Sequence, residues 1–415
     1  MERLLRYAIH ALLFLLPWQT IWIIQECFVD KVKWEYRTIG FYATEALLWF
    51  AVILFIPWFY RTYTAKRQKE FRFTRDRIFI CAVMLFTLYA FLSSSWSLDP
   101  DIAWQHALWI LEAWLLFFLL LLGPVNQKMV WCWLALGSIV PSMLGIAQFL
   151  MQTSWASSLF GLALHAPEAA GTSIIDAGIF GRWLRAYGPF AHPNIFGGYL
   201  AVVTIAVDCA VRETKELKKR YLFIVISLIS YPALFFTFSR SAWIGVILWT
   251  ILSYKKTGLF LTTSRLGLIA ILAMLFFPLL STRAVMNTAH ETRSIEERIS
   301  GYTEARTLFD AHPLLGVGAG NYTQALRAAF PERPIWNYQP VHNTFLLLLT
   351  ELGLVGSFFA ILVCIMYFRL QITPQKLPLL VILPLLLFDH YLFSTHGGLL
   401  LFALFPILST AHPQE

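Results

Sequence analysis

The sequence predicts an all-α, polytopic integral membrane protein of about twelve transmembrane helices, and three observations predict it. Of its 415 residues, 58% are hydrophobic. Only 13% are charged, where a soluble chain carries roughly 25%. Apolar runs of about 20 residues recur along most of the length, which is what crossing a hydrocarbon core roughly 30 Å thick requires.

Read in order, the spans fall at about 4–24, 39–60, 77–95, 102–122, 129–151, 190–211, 221–238, 241–254, 265–280, 343–368, 377–394 and 398–412. The first run has no small-residue cleavage site and leads into further spans, so it reads as a retained helix rather than a signal peptide. The apolar block 221–254 is too long for one crossing and divides at Thr237-Phe238-Ser239-Arg240-Ser241. Without internal repeat or low-complexity stretch, 1–415 reads as a single transmembrane domain. Two connecting segments, 152–189 and 281–342, are too long to be plain connectors, and such loops usually carry function. In the second, Ile295, Ile299, Tyr302, Ala305 and Leu308 recur at helical spacing, which predicts an amphipathic helix on the membrane surface.

Loop charge sets the orientation. One side carries Arg3, Arg6, Arg61, Lys66, Arg67, Lys69, Arg72, Arg75, Arg77, Lys128, Arg212, Lys215, Lys218, Lys219, Arg220, Lys255, Lys256, Arg265, Arg369 and Lys376, which is 20 of the 32 Lys and Arg. Short basic loops mark the cytoplasm, so both termini are expected there and the two long segments on the far side. Acids such as Asp30, Glu35, Asp99 and Asp101 fall on that far side. The net charge of +8 is therefore accounted for by topology rather than by a nucleic-acid partner. Cys27, Cys81, Cys132, Cys209 and Cys364 are scattered, without CxxC or Cys/His ligand spacing, and predict neither a disulfide frame nor a metal site.

At the far face stand Arg185, His192, Arg240, Arg298 and His342. Arg240 sits in an apolar hairpin without an acidic neighbour in sequence, where a guanidinium is costly unless it meets an anion. Its planar fork suits phosphate, although any one such arginine could simply snorkel to the interface. His342 reads either as a residue at a helix start capped by Asn343 or Thr344, or as a general base. Gly353-x-x-Gly356 would let a neighbouring helix pack closely. Gly316-Val-Gly-Ala-Gly320-Asn321-Tyr322 looks like a phosphate loop but lacks the lysine of that motif, so a turn back to the membrane is expected. Asp99-Pro100-Asp101 matches a metal-binding DxD and, more simply, an N-cap followed by proline at N1. Glu45, Glu112 and Glu351 are intramembrane acids, functional or structurally paired. Asp389-His390 is a further pocket candidate.

These residues resemble the O-antigen ligase and polymerase superfamily of bacterial membrane glycosyltransferases. The resemblance is carried by Arg185-Ala-Tyr187-Gly-Pro-Phe-Ala-His192-Pro-Asn194, by Thr237-Phe-Ser-Arg240-Ser-Ala, by Glu297-Arg298 followed by His312-Pro-Leu-Leu-Gly316-Val-Gly-Ala-Gly320-Asn-Tyr322, and by His342-Asn343 with Gly353 and Gly356. It implies an enzyme of the inner membrane that transfers glycan from undecaprenyl diphosphate to lipid A-core at the periplasmic face. Arg240 and Arg298 would bind the diphosphate with help from Arg185, and His342 would activate the acceptor hydroxyl, so inversion is expected. The arginines offset the leaving-group charge, so neither metal nor other cofactor is expected. One departure is the absence of a tryptophan soon after Arg298, where Tyr302 stands instead. A polymerase joining lipid-linked repeat units is the alternative of the same class. A transporter or flippase working through Glu45, Glu112 or Glu351 is the alternative of another class.

Overall fold

A computed structural model of the chain describes residues 1–29, 31–66, 75–285, 289–370 and 377–409. Arg67, Lys69, Arg72, Lys376 and Asp30, which entered the orientation argument, lie outside the described residues. Seventeen α-helices are assigned: α1 (Glu2–Leu15), α2 (Ala43–Lys66), α3 (Arg75–Leu92), α4 (Pro100–Leu122), α5 (Gln127–Gly137), α6 (Ile139–Met151), α7 (Pro193–Glu213), α8 (Leu217–Phe236), α9 (Arg240–Thr257), α10 (Leu259–Leu275), α11 (Phe277–Val285), α12 (Ala289–Ala311), α13 (Tyr322–Ala329), α14 (Thr344–Leu370), α15 (Leu377–Phe388), α16 (Tyr391–Ser394) and α17 (His396–Ser409). The protein is an all-α polytopic membrane protein. Among the described residues seven spans are long and apolar enough to cross a membrane, or eight if α10 and α11 form one broken span. Helices α1, α9, α15 and α17 stand where further crossings were expected, and over their described residues they fall outside those seven or eight.

Four spans differ from expectation, each for a local reason. The run at 4–24 is helical only to Leu15. Beyond Pro17, the β-branched stretch Thr20–Ile24 favours extended backbone, and β1 (Ile21–Gln25) pairs antiparallel with β4 (Ile39–Tyr42). The span at 129–151 stands as one crossing, Gln127–Met151, but its helix is interrupted at Ser138, ahead of Pro141, which removes a backbone donor from the first turn of α6. Helix α10 starts at Leu259 rather than Arg265, and it meets α11 at 91°. Arg265 is consequently no loop cation: it is buried inside the bundle and paired with Asp208 at 2.5 Å. Finally, the apolar run 377–394 stops being helical at Phe388, leaving Asp389-His390 as a break before the short α16.

Helix α7 is the centre of the bundle. It is largely apolar around its circumference, the pattern of a helix surrounded by other helices, and nearly all of it is buried. It packs on α5, α8 and α9. Gly197 and Gly198 near its start allow the closest approaches. A Cβ at Gly197 would stand 2.8 Å from the Ser239 Cβ, and one at Gly198 would overlap the Tyr391 ring. Those two glycines therefore bring the start of α9 and the α16 segment against the first turns of α7. In the long segment 281–342, α12 packs on α14 through buried Ala305 and Leu308, while Ile295, Ile299 and Tyr302 are exposed.

Candidate functional site

The site begins with the sharp turn from α8 to α9. Phe238 is fully buried and held at φ +47°, a conformation that costs a bulky residue energy and persists only where the surroundings enforce it. The strain turns the chain so that Ser239-Arg240-Ser241 opens α9, with Arg240 half-buried as its first residue. In the same turn the Thr237 carbonyl accepts from Arg185 Nε at 2.6 Å.

The break after α15 brings Asp389 into contact with the starts of three helices. Asp389 Oδ1 accepts from Asn194 Nδ2 in the first turn of α7 at 2.9 Å. Its Oδ2 accepts from Ser241 Oγ in the first turn of α9 at 2.7 Å. Its carbonyl accepts from Thr344 Oγ1, the first residue of α14, at 2.9 Å. Helix N-termini carry partial positive charge and unsatisfied N–H groups. Three of them meet at Asp389, and Arg240 is the first residue of one of them, α9.

His342 completes the cluster. Its Nδ1 lies 3.9 Å from Asp389 Oδ1, and its ring centroid is 5.2 Å from that of His390. At that separation His342 Nδ1 makes no hydrogen bond among the described residues although it is buried. Asn343 caps α14 by accepting from the Leu346 N–H at 3.0 Å, and its amide donates to the Leu387 carbonyl at 3.2 Å. His390 is held through Nδ1 by Ser394 Oγ at 2.7 Å. His192 caps α7, its Nδ1 accepting from the Asn194 N–H at 3.1 Å. Burial first, and then the charge of Arg185, hold the His192 pKa well below its ordinary value.

Arg185 is placed differently from Arg240. It is only 4% exposed, and besides Thr237 it donates to Ser173 Oγ and Asn194 Oδ1, each at 2.7 Å. The guanidinium thus orients Asn194, which in turn holds Asp389. Tyr187 supports the same corner, its hydroxyl accepting from the Ser173 N–H at 2.6 Å, and burial pushes its pKa up to about 12.

On the open side of His342 lies a cavity of about 240 Å³, lined among others by Glu297, Glu304, Arg333, Trp336 and Asn337. Arg333 pairs with Glu304 at 2.5 Å. Arg298 is half-buried on α12, next to Glu297, and Tyr302 lies one turn on and exposed. Neither lines the cavity. Ser241, Ser173, Thr344 and the Glu304–Arg333 pair are contacts that sequence reading missed. Ser241 stood inside a quoted motif, whereas Ser173 sits in an irregular segment with no periodic signal.

The glycine-rich loop is a fastening. Gly353 interrupts α14 at φ +62°, and the loop fills the gap. Val317 N–H donates to the Thr350 carbonyl at 3.0 Å and Gly318 N–H to the Glu351 carbonyl at 2.8 Å. Glu351 accepts from the N–H groups of Gly320 and Tyr322. Tyr89 of α3 donates to the carbonyls of Leu315 and Leu352 at 3.0 Å each. These loop amides are spent on protein acceptors rather than on a phosphate. Gly356 does admit a neighbouring helix, since a Cβ there would meet the Tyr89 ring at 2.7 Å. Gly353 instead makes the break. Asp99 caps α4 ahead of Pro100 and pairs with Arg37 at 2.6 Å.

The fold and this cluster describe a polytopic membrane protein with a polar, cation-bearing site where several helices start. Residues 222–361 match the family model described as O-Antigen ligase, which supports membership of the O-antigen ligase superfamily. That domain supports a ligase- or polymerase-type function in O-antigen biosynthesis, by a membrane glycosyltransferase-like enzyme with lipid-linked glycan substrates. The matched stretch holds Arg240, Arg298, Tyr302, His342 and Asn343, and excludes Arg185, Asn194, Asp389 and His390. Comparison with curated proteins found no significant match.

Proposed function

We propose that the protein is an O-antigen ligase of the bacterial inner membrane, passing glycan from undecaprenyl diphosphate to lipid A-core at the periplasmic face. The observation that carries this reading is the His342–Asp389 pair, with Arg240 next in sequence to the Ser241 that holds Asp389, placed where three helices begin and opening on a cavity. With Nδ1 facing Asp389, His342 has Nε2 left to take the proton of an acceptor hydroxyl. The freed oxygen attacks the anomeric carbon and the bond from that carbon to phosphate oxygen breaks. The diphosphate departs with the electron pair, and attack from the opposite face inverts the anomeric centre.

Arg240 is the arginine best placed to meet the diphosphate, because it heads α9 and adds its charge to the helix terminus. The resemblance would add Arg298 of α12 as a second ligand, although that arginine does not line the cavity beside His342. Arg185, spent on Thr237, Ser173 and Asn194, positions the Asn194–Asp389–His342 chain rather than touching the donor. A polymerase would use the same machinery with a lipid-linked glycan as acceptor.

The test is transfer by purified protein given undecaprenyl-diphosphate glycan and lipid A-core, read as mass gain on each lipid. The ligase reading expects glycan on lipid A-core and loss of transfer in Arg240→Ala. Lengthened undecaprenyl-linked glycan with untouched lipid A-core would replace it with the polymerase.

A further inference from the structure

A second polar cluster lies apart from the site described above, between α2, α4 and α17. Glu45 in the first turn of α2, Glu112 midway along α4 and His396 at the head of α17 are 1%, 0% and 1% exposed. One donor atom from each lies within 4.8 Å of the others. Two carboxyl groups buried together must be neutralised, by a cation or by protons they share. Among the described residues neither is paired with a lysine or arginine.

The surroundings aim these groups inward. Trp109 Nε1 donates to Glu45 Oε1 at 3.1 Å and Trp49 Nε1 to Glu112 Oε1 at 2.6 Å. The Tyr42 N–H holds the other Glu45 oxygen. The His396 ring stacks on Tyr42 with centroids 4.9 Å apart. After these contacts Glu112 Oε2 and His396 Nε2 have no hydrogen-bond partner among the described residues. They nevertheless stand only 3.2 Å apart. Two ligands bound at roughly 2.0–2.1 Å to one tetrahedral ion are separated by about 3.3 Å.

We infer that Glu45, Glu112 and His396 bind a divalent cation of the zinc or manganese class. Two carboxylates neutralise its charge, and an imidazole with carboxylate oxygens suits a borderline metal rather than calcium or magnesium. The indole N–H groups act as outer partners that fix the carboxylate oxygens, as around other metal sites. The ion ties α2 and α4 to α17, whose first residue follows the α16 segment that carries His390, and so braces that segment from below. The inference is independent of the proposed reaction.

The test is metal analysis of the full chain purified in detergent without chelator, with cobalt as a spectroscopic probe. About one equivalent of zinc or manganese is expected. Cobalt loaded into stripped protein should give a visible ligand-field band. Glu112→Gln and His396→Gln should lose both metal and band, whereas His342→Gln should keep them. If the variants do not fold, the unsubstituted protein decides alone. Less than a tenth of an equivalent, with no cobalt band and no rise in melting temperature on adding zinc or manganese, overturns the inference. In that case the carboxylates share protons, and Glu45→Gln would leave the melting temperature unchanged or raised.

Discussion

Asp389 Oδ1 stands 3.9 Å from His342 Nδ1 while both Asp389 oxygens are already fixed, by Asn194 and by Ser241. The carboxylate is thus aimed at the histidine by α7 and α9, and the histidine is carried by the start of α14. Such an acid orients an imidazole and stabilises its protonated form without itself taking the proton.

Asp389→Asn keeps the size and much of the hydrogen bonding but removes the charge facing His342. The expected outcome is a fall in kcat of about 10²-fold with little change in donor KM. Steady-state kinetics at several donor concentrations checks it. An equal loss expressed only in KM would assign Asp389 to donor binding instead.

The glycine fastening is a backbone constraint. A Cβ at Gly316 would stand 2.3 Å from the Glu351 carbonyl oxygen, and one at Gly353 would stand 2.3 Å from the Leu314 carbonyl oxygen, both at positive φ. Neither neighbour is a flexible side chain. Gly316→Ala and Gly353→Ala should each cost about 1–3 kcal/mol or more, read as a lower melting temperature in detergent. A Gly267→Ala control, inside α10 with nothing within 4 Å, should leave it unchanged or raise it slightly.

The buried pair Arg265–Asp208 binds α10 to α7, with Trp249 Nε1 donating to Asp208 at 2.8 Å and Arg265 Nε to Ser227 at 2.7 Å. Asp208→Asn leaves a buried guanidinium without its counter-charge and should destabilise by about 3–5 kcal/mol. Replacing both members with leucine and methionine should recover most of that loss. Thermal unfolding of the single and double variants measures it.

His192 and His165 are both held neutral by burial, with pKa values below the ordinary 6.5. Below about pH 6.5 the unfolded chain binds protons that the folded chain refuses, so stability falls as pH falls. Melting temperature should drop from about pH 7.5 to about pH 5.5. His192→Asn, which keeps a capping oxygen, should flatten that slope. An unchanged slope in a His165→Gln, His192→Asn double variant would assign the acid sensitivity elsewhere.

Hydrophobic run length and loop charge made the membrane class readable, because lipid demands long apolar helices whatever their packing. The breaks were less readable. The strand at Ile21–Gln25 and the end of helix at Phe388 depend on tertiary pairing, and Arg265 was hidden because its partner Asp208 lies 57 positions away. At the site, His342 and Arg240 could be named from local motifs. That Arg185 is turned inward, and that Asp389 gathers three helix starts, required the fold, since residues 194, 241, 344 and 389 have no sequence relation to one another.

The most direct measurement of the central claim is single-turnover glycan transfer by His342→Ala with donor saturating, alongside a donor-binding assay. The account predicts that transfer falls by at least about 10²-fold while donor binding is retained. Transfer at the unsubstituted rate in His342→Ala would contradict it.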